Sequence, residues 1–218
     1  IARQQTVGAL QLPLADVGVA ALDYRGRAGI ATSIGHAPVE ALIDPRAGSR
    51  LSVAEALTNI VFAPLTYGLD GVSLSANWMW PCRNPGEDAA LYAAVEALSD
   101  FAVALGVNVP TGKDSLSMTQ KYPDGKRVMS PGTVIVSAAG EVSDVRKTVT
   151  PYLRRKGDHE IIYVDFSKSP RHLGGSAFAQ MLGYVGQHTP DVSDAAYFKQ
   201  AFNAVQELIN KGLVVAGH

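Results

Sequence analysis

Short apolar runs alternate along the chain with longer stretches in which apolar residues return every three or four positions. Val17-Gly-Val-Ala-Ala21 and Gly29-Ile-Ala-Thr-Ser33 flank the Arg25-Gly26 turn, which predicts two strands. Asp44-Pro45 has the form of a helix start, an aspartate cap followed by proline in the first turn. Apolar residues then recur at helical spacing through Leu51, Ala54, Leu57 and Val61 until Pro64 ends the pattern. Gly71-Val-Ser-Leu-Ser-Ala76 predicts a strand. Gly86 opens a long amphipathic helix that Gly106 closes. Val107-Asn-Val-Pro110 and Gly132-Thr-Val-Ile-Val-Ser137 predict further strands, with a polar turn at Pro123-Asp-Gly125 between them. Thr148 to Lys156 carries Pro151, Arg154, Arg155 and Lys156 with little apolar periodicity and reads as a linker. After it come a strand at Glu160–Asp165, a short helix from Gly174-Gly175 to Leu182, an amphipathic helix from Asp194 to Lys211, and a strand at Leu213–Ala216. This is the succession of an α/β chain that divides near residue 150.

Composition narrows the function classes. The 218 residues are 47% hydrophobic and 18% charged, enough apolar mass for a globular core. With 19 basic and 20 acidic side chains the formal net charge is -1. No basic excess points to nucleic acid and no polybasic run to a membrane surface. The longest apolar runs are far too short to span a bilayer. A single cysteine, Cys82, rules out an internal disulfide and fits a reducing compartment such as the cytoplasm. The chain opens Ile1-Ala-Arg3, without methionine or a signal-peptide pattern, and stops on an apolar run. The expectation is a piece of a longer protein.

The candidate chemistry centres on Glu55 and Asn59. Four residues apart on a predicted helix, they stack two oxygen-bearing side chains on one face, Cβ atoms roughly 6 Å apart. With a third carboxylate nearby, such a pair holds a hard cation such as magnesium against a phosphate. Against this stands Ser52-Val-Ala-Glu55, which has the form of a capping box and would give Glu55 only the task of tying a helix start. Asp16 lies in the apolar run Leu12-Pro-Leu-Ala-Asp-Val17. Buried there it needs a cation or an arginine, and at a strand edge it needs neither. Thr111-Gly-Lys-Asp-Ser115 fails as a P-loop, because Val107 stands where the first glycine belongs and Asp114 follows the lysine. What remains is a glycine-centred turn, either an anion site or an ordinary polar loop. Asn77-Trp-Met-Trp80 and Cys82 suit packing. The scattered histidines lack metal-ligand spacing.

Five segments together resemble the phosphoribosylformylglycinamidine synthase family in its large single-chain form. They are Gln11-Leu-Pro-Leu-Ala-Asp16, Ala54-Glu-Ala-Leu-Thr-Asn59, Leu74-Ser-Ala-Asn-Trp-Met79, Pro85-Gly-Glu-Asp-Ala89 with Leu91-Tyr92, and Pro110-Thr-Gly-Lys-Asp-Ser-Leu-Ser-Met118. The resemblance runs over nearly the whole chain. It implies the fold of aminoimidazole ribonucleotide synthetase: an N-terminal-type domain over residues 1–148, whose sheet pairs with a sister domain to form a barrel. Residues 149–218 would be the incomplete start of the C-terminal-type domain. The implied activity is an ATP-dependent ligase of purine biosynthesis. It phosphorylates an amide oxygen and displaces the phosphate with ammonia from glutamine, released by a glutaminase domain elsewhere in the longer chain.

Carried over by motif, Asp16, Glu55 and Asn59 resemble magnesium ligands at an ATP/ADP site, with Ala15 touching the nucleotide through its backbone. The resemblance implies a tightly held structural nucleotide rather than the reacting one, with a further ligand expected just after His218. Gly112, Lys113 and Ser115 match a segment that binds ATP, magnesium and substrate in smaller relatives. There an asparagine stands in place of Lys113 and an aspartate in place of Ala76, so this site is expected to be altered. The piece alone is expected to be inactive. The alternative reading is a non-catalytic module that dimerises through the same sheet. A selenophosphate- or thiamine-phosphate-type kinase fits Asn77-Trp-Met79 and Thr111–Ser115 poorly.

Overall fold

Alternation decides the central sheet. Along the second strand every other residue is buried, and the longest strand shows nearly the same period. The computed structural model describes residues 10–153 and 157–218. Its elements run β1 (Gly18–Ala21), β2 (Gly29–His36), α1 (Pro38–Ile43), α2 (Pro45–Ile60), β3 (Ser73–Met79), α3 (Glu87–Leu105), β4 (Asn108–Ser115), β5 (Thr119–Lys121), β6 (Arg127–Met129), β7 (Thr133–Val142), α4 (Ala177–Met181) and α5 (Ala195–Asn210). Five strands form one sheet in the order β1-β2-β7-β3-β4. Its neighbours are antiparallel except β3 and β4. That parallel pair needs a crossover connection, and α3 supplies it. β5 and β6 form a hairpin whose turn places Gly125 at φ 84, where the sequence predicts a polar turn.

Among the described residues, one face of the sheet is covered and the other is open. Ala31, Leu74, Val134, Val136 and Ala138 point inward and are buried beneath α2 and α3. Ile30 and Ile34 stand on the opposite face, 44% and 57% exposed. The side chains of β2 that meet α2 are small, and this sets how closely the helix approaches. A Cβ built at Gly35 would overlap the carbonyl oxygen of Ser52 and the amide nitrogen of Ala56. Beside it, the buried Ser33 hydroxyl donates to the Ala56 carbonyl at 2.6 Å. Helix and strand therefore touch backbone to backbone.

Helix ends follow the sequence signals. Asp44 caps α2, its carboxylate accepting from Arg46 N at 2.8 Å and Ala47 N at 3.3 Å. Glu55 therefore sits in the helix interior, and the Ser52 hydroxyl donates back to Gly48 O at 2.9 Å. This excludes the capping-box reading. Gly86 and Gly106, both left-handed, bracket α3 as expected.

The core continues through α5. Phe198 and Phe202 are fully buried, and Phe198 meets Phe101 edge-on at 5.9 Å and Phe166 at 5.4 Å. Buried Gln206 accepts from Leu65 N at 3.0 Å. It also donates to Val61 O at 2.6 Å and Ala63 O at 2.8 Å, closing the backbone left open after α2. Arg50 forms a bidentate pair with Asp191 at 2.7 and 2.8 Å.

Four expectations need correction. Thr111–Ser115 is not a glycine turn: it extends β4, because pairing with β3 runs on from Ser75↔Thr111 to Met79↔Ser115. Asp16 lies in a bend just before β1 rather than in the strand. Glu160–Asp165 and Leu213–Ala216 are not strands. A strand needs a neighbour for its N–H and C=O groups, and no described strand flanks either segment. Ile161, Ile162 and Tyr163 accordingly stand exposed. Arg154, Arg155 and Lys156 of the linker, and Ile1-Ala-Arg3, lie outside the described residues.

Two substitutions test this packing. Gly35→Ala forces α2 off β2 and is expected to cost about 1–3 kcal/mol. Thermal unfolding should show a melting temperature lower by several degrees, and an unchanged one would contradict the close contact. Gln206→Leu strands three backbone groups and is expected to destabilise by about 2–4 kcal/mol. A chain that unfolds at its usual temperature would show that α5 is not part of the core.

Candidate functional site

The close approach of α2 places two side chains on an open strand edge. β1 pairs with β2 only from Ala21↔Gly29 to Gly18↔Thr32. Beyond Thr32 no strand among the described residues pairs with the outward backbone groups of β2, and α2 meets two of them instead. Asn59 Nδ2 donates to Ile34 O at 2.9 Å, and Glu55 Oε2 accepts from His36 N at 2.6 Å. The spacings match: four helical residues rise about 6 Å, and two strand residues about 6.7 Å. An i, i+4 pair on a helix can therefore serve alternate residues of an antiparallel strand.

This pairing also fixes orientation. The Ile34 carbonyl only accepts, so it must face the amide nitrogen of Asn59, and the side-chain oxygen turns away. The His36 N–H only donates, so it holds one carboxylate oxygen of Glu55. Glu55 Oε1 and Asn59 Oδ1 accept no hydrogen bond among the described residues. Two oxygens on one helix face are thus left without a hydrogen-bond partner among the described residues, and oxygen is the donor type a hard cation takes.

Asp16 lies where β1 has bent away from the same edge. Its side chain is only 15% exposed, and His218 Nδ1 stands 3.1 Å from one carboxylate oxygen and 3.3 Å from the other. Burial raises its pKa above the ordinary carboxylate value, and the neighbouring His218 opposes that shift. Asp16, Ala15 and Asn59 line a cavity of about 730 Å³ on the open face of the sheet. Thr32, Ser73, Ser75, Thr111 and Ser137 complete its wall with hydroxyl groups. These hydroxyls were missed in the sequence. The period-two spacing of Ser73 and Ser75 in an otherwise apolar strand was the available signal.

Glu55 lies on the rim of a second cavity of about 390 Å³, with His36, Glu40, Tyr163 and Asp165. Burial raises the pKa of Glu40, and the charge of Glu55 pushes it the same way. The His36 ring nitrogen is 4.0 Å from the Glu55 carboxylate. Among the described residues no three His, Cys, Asp or Glu side chains cluster as metal ligands.

The remaining candidates are placed apart. Gly112, Lys113 and Ser115 lie on edge strand β4 and line neither of these cavities, although Pro110 and Thr111 line the larger. The Lys113 ammonium donates to the Ser115 hydroxyl. Gly112 is pressed against β3: a Cβ there would sit 2.9 Å from Ala76 O. Burial, then Asp88 and Glu87, raises the pKa of the Cys82 thiol, which suits packing rather than attack. Trp80 is buried, tilted against Trp78 at 6.4 Å. No helix of the described residues is long and apolar enough to cross a membrane.

The family model of the FGAR-AT PurM_N-like domain matches residues 1–141. Over 219 residues the chain is 47% identical to the probable phosphoribosylformylglycinamidine synthase, chloroplastic/mitochondrial, of Arabidopsis thaliana, with all of this chain and 15% of that protein covered. It is 44% identical over 219 residues to phosphoribosylformylglycinamidine synthase of Homo sapiens, covering 100% of this chain and 16% of the human protein. The chain thus spans about one sixth of the length of these relatives. The solved structure of T. maritima PurL complexed with FGAR matches 91% of this chain and 30% of its own, with a TM-score of 0.60 at 16% identity, a likeness of fold. The mixed α/β architecture is that of the aminoimidazole ribonucleotide synthetase-like fold. By the family model and by identity along its whole length, the chain belongs to the phosphoribosylformylglycinamidine synthase family.

Proposed function

We propose that this chain contributes a nucleotide–magnesium half-site to an ATP- and glutamine-dependent ligase. That enzyme converts formylglycinamide ribonucleotide to formylglycinamidine ribonucleotide in purine biosynthesis. The observation that carries the reading is the row along the free edge of β2. There Glu55 and Asn59 are each tied to backbone by one atom and leave the other without a hydrogen-bond partner among the described residues, and Asn59 shares a cavity with the half-buried Asp16. The residues fit a hard divalent cation: two carboxylates and an amide oxygen, all neutral or anionic oxygen donors. When bound, the cation would neutralise phosphate charge. The chain's own residues fix the ligand oxygens and, through the Ala15 backbone and the hydroxyl-lined cavity, receive the phosphates.

This site is structural in the proposal: it holds ADP or ATP for the fold, and the chain is inactive alone. Residues 1–148 form the N-terminal-type domain, and residues 149–218 begin the C-terminal-type domain, docked through α5. Gly112, Lys113 and Ser115 belong to a neighbouring stretch of cleft wall, where the Lys113 ammonium supplies charge beside a phosphate. The open sheet face meets a sister domain of the longer chain, and the glutaminase lies elsewhere in it. The lone cysteine suits a reducing compartment such as the cytoplasm.

A second reading rests on exposed Ile30 and Ile34, which would serve a dimerisation module without nucleotide. Calorimetry with MgADP separates the two. Asp16→Asn and Glu55→Gln are each expected to weaken MgADP about tenfold or more, since each removes one ligand charge. The nucleotide-free Asp16→Asn protein should melt no lower than the parent, because a neutral amide at that position avoids desolvating a charge. Equal affinity in parent and variants would sink the half-site. A dimer that Ile34→Asp dissociates, with no MgADP heat in any form, would favour the second reading.

A further inference from the structure

The smaller cavity is lined by Leu51, Ala54, Glu55 and Thr58 of α2, the last of them next to Asn59 in the chain. Its chemistry is unlike that of the larger cavity. The floor is apolar, with Leu51, Ala54, Val192 and Phe198, and the walls carry the rings of Tyr163 and Phe166. The polar groups that line it are the carboxylates of Glu40, Glu55 and Asp165, the imidazole of His36, and the hydroxyls of Thr58 and Ser167. Neither lysine nor arginine is among its lining residues, and its three carboxylates suit N–H and O–H donors better than a bare phosphate. Asp165 is held in place by the Ser167 amide at 2.8 Å and hydroxyl at 2.7 Å. The Arg171 guanidinium lies 5.7 Å from the centre of the Tyr163 ring and steadies that ring. Arg171 also reaches Asp165 at 3.8 Å.

We infer that this cavity receives the nucleoside half of the nucleotide, base against Tyr163 and ribose hydroxyls or exocyclic amine toward Glu40 and Asp165. The inference rests on the nucleotide reading of Asp16, Glu55 and Asn59, and deepens it. A volume of about 390 Å³ is adequate for a base and its sugar. Glu55 joins the two halves: it stands on the rim of this cavity, and Asn59, one turn on, lines the cavity that holds Asp16. Aromatic walls with acceptors at their edge are how proteins hold a base without a phosphate contact.

The test compares two probes, MgADP and magnesium pyrophosphate, by calorimetry on the parent protein, Tyr163→Ala and Glu40→Gln. Tyr163 is 76% exposed, so its truncation leaves the fold intact, and thermal melting verifies this. MgADP is expected to bind the parent more tightly than magnesium pyrophosphate. Tyr163→Ala should weaken MgADP about tenfold, the loss of one stacked base, and leave pyrophosphate unchanged. Glu40→Gln should act in the same direction. If the variants bind MgADP like the parent, or lose both probes equally, the cavity does not hold the nucleoside. If pyrophosphate binds as tightly as MgADP, the nucleoside makes no contact and the inference fails while the half-site stands. If neither probe binds the parent protein, both fall.

Discussion

The contact between α2 and β2 is the constraint on which the rest of this structure depends. Gly35 has no side chain, and the strand beside it carries only Ala31 and Ser33 on its inner face. The helix therefore settles directly onto the strand backbone. A helix pushed off the strand by a side chain at position 35 would carry Glu55 away from the His36 amide and Asn59 away from the Ile34 carbonyl. In the close contact, Glu55 and Asn59 replace the neighbour that β1 ceases to be beyond Thr32. One steric fact thus satisfies a strand edge and fixes the direction of two side-chain oxygens.

The arrangement sets stability and binding on the same residues. Each of Glu55 and Asn59 has one atom engaged by the fold and one turned outward, so the fold orients the donor at no cost in rotamer freedom on binding. Asp16 differs. It is half-buried against His218, and its charge is disfavoured by its surroundings. A carboxylate so perturbed and lining a cavity is a candidate functional group. Around it the open face of the sheet carries hydroxyls between Ile30 and Ile34, a surface that suits both a polar ligand and an apposed sheet.

Much of this was legible in the sequence, for identifiable reasons. Asp44-Pro45, Gly86 and Gly106 are local signals, and they placed α2 and α3 because caps act within a single turn. The Glu55 and Asn59 spacing gave the shared helix face. The partners of that face were not legible, because they come from β2, some twenty residues away, and only tertiary packing brings them there. Thr111–Ser115 misled for the opposite reason. Its glycine suggested a turn, yet Gly112 serves the tight pairing of β4 with β3, where a Cβ would crowd the Ala76 carbonyl. Glu160–Asp165 has the composition of a strand, but composition cannot supply a neighbouring strand. The roles of Ala15, Asp16 and the Gly112–Ser115 segment came from family resemblance, not from periodicity.

The proposed function requires that Asp16, Glu55 and Asn59 act on one cation beside a nucleotide. Its most direct test is a crystal of the protein grown with Mn2+ and ADP, measured at the manganese absorption edge. The account predicts an anomalous peak about 2.1 Å from the Asp16 carboxylate, Glu55 Oε1 and Asn59 Oδ1. A manganese ion bound elsewhere, with Glu55 and Asn59 engaged only by the backbone of β2, would contradict it.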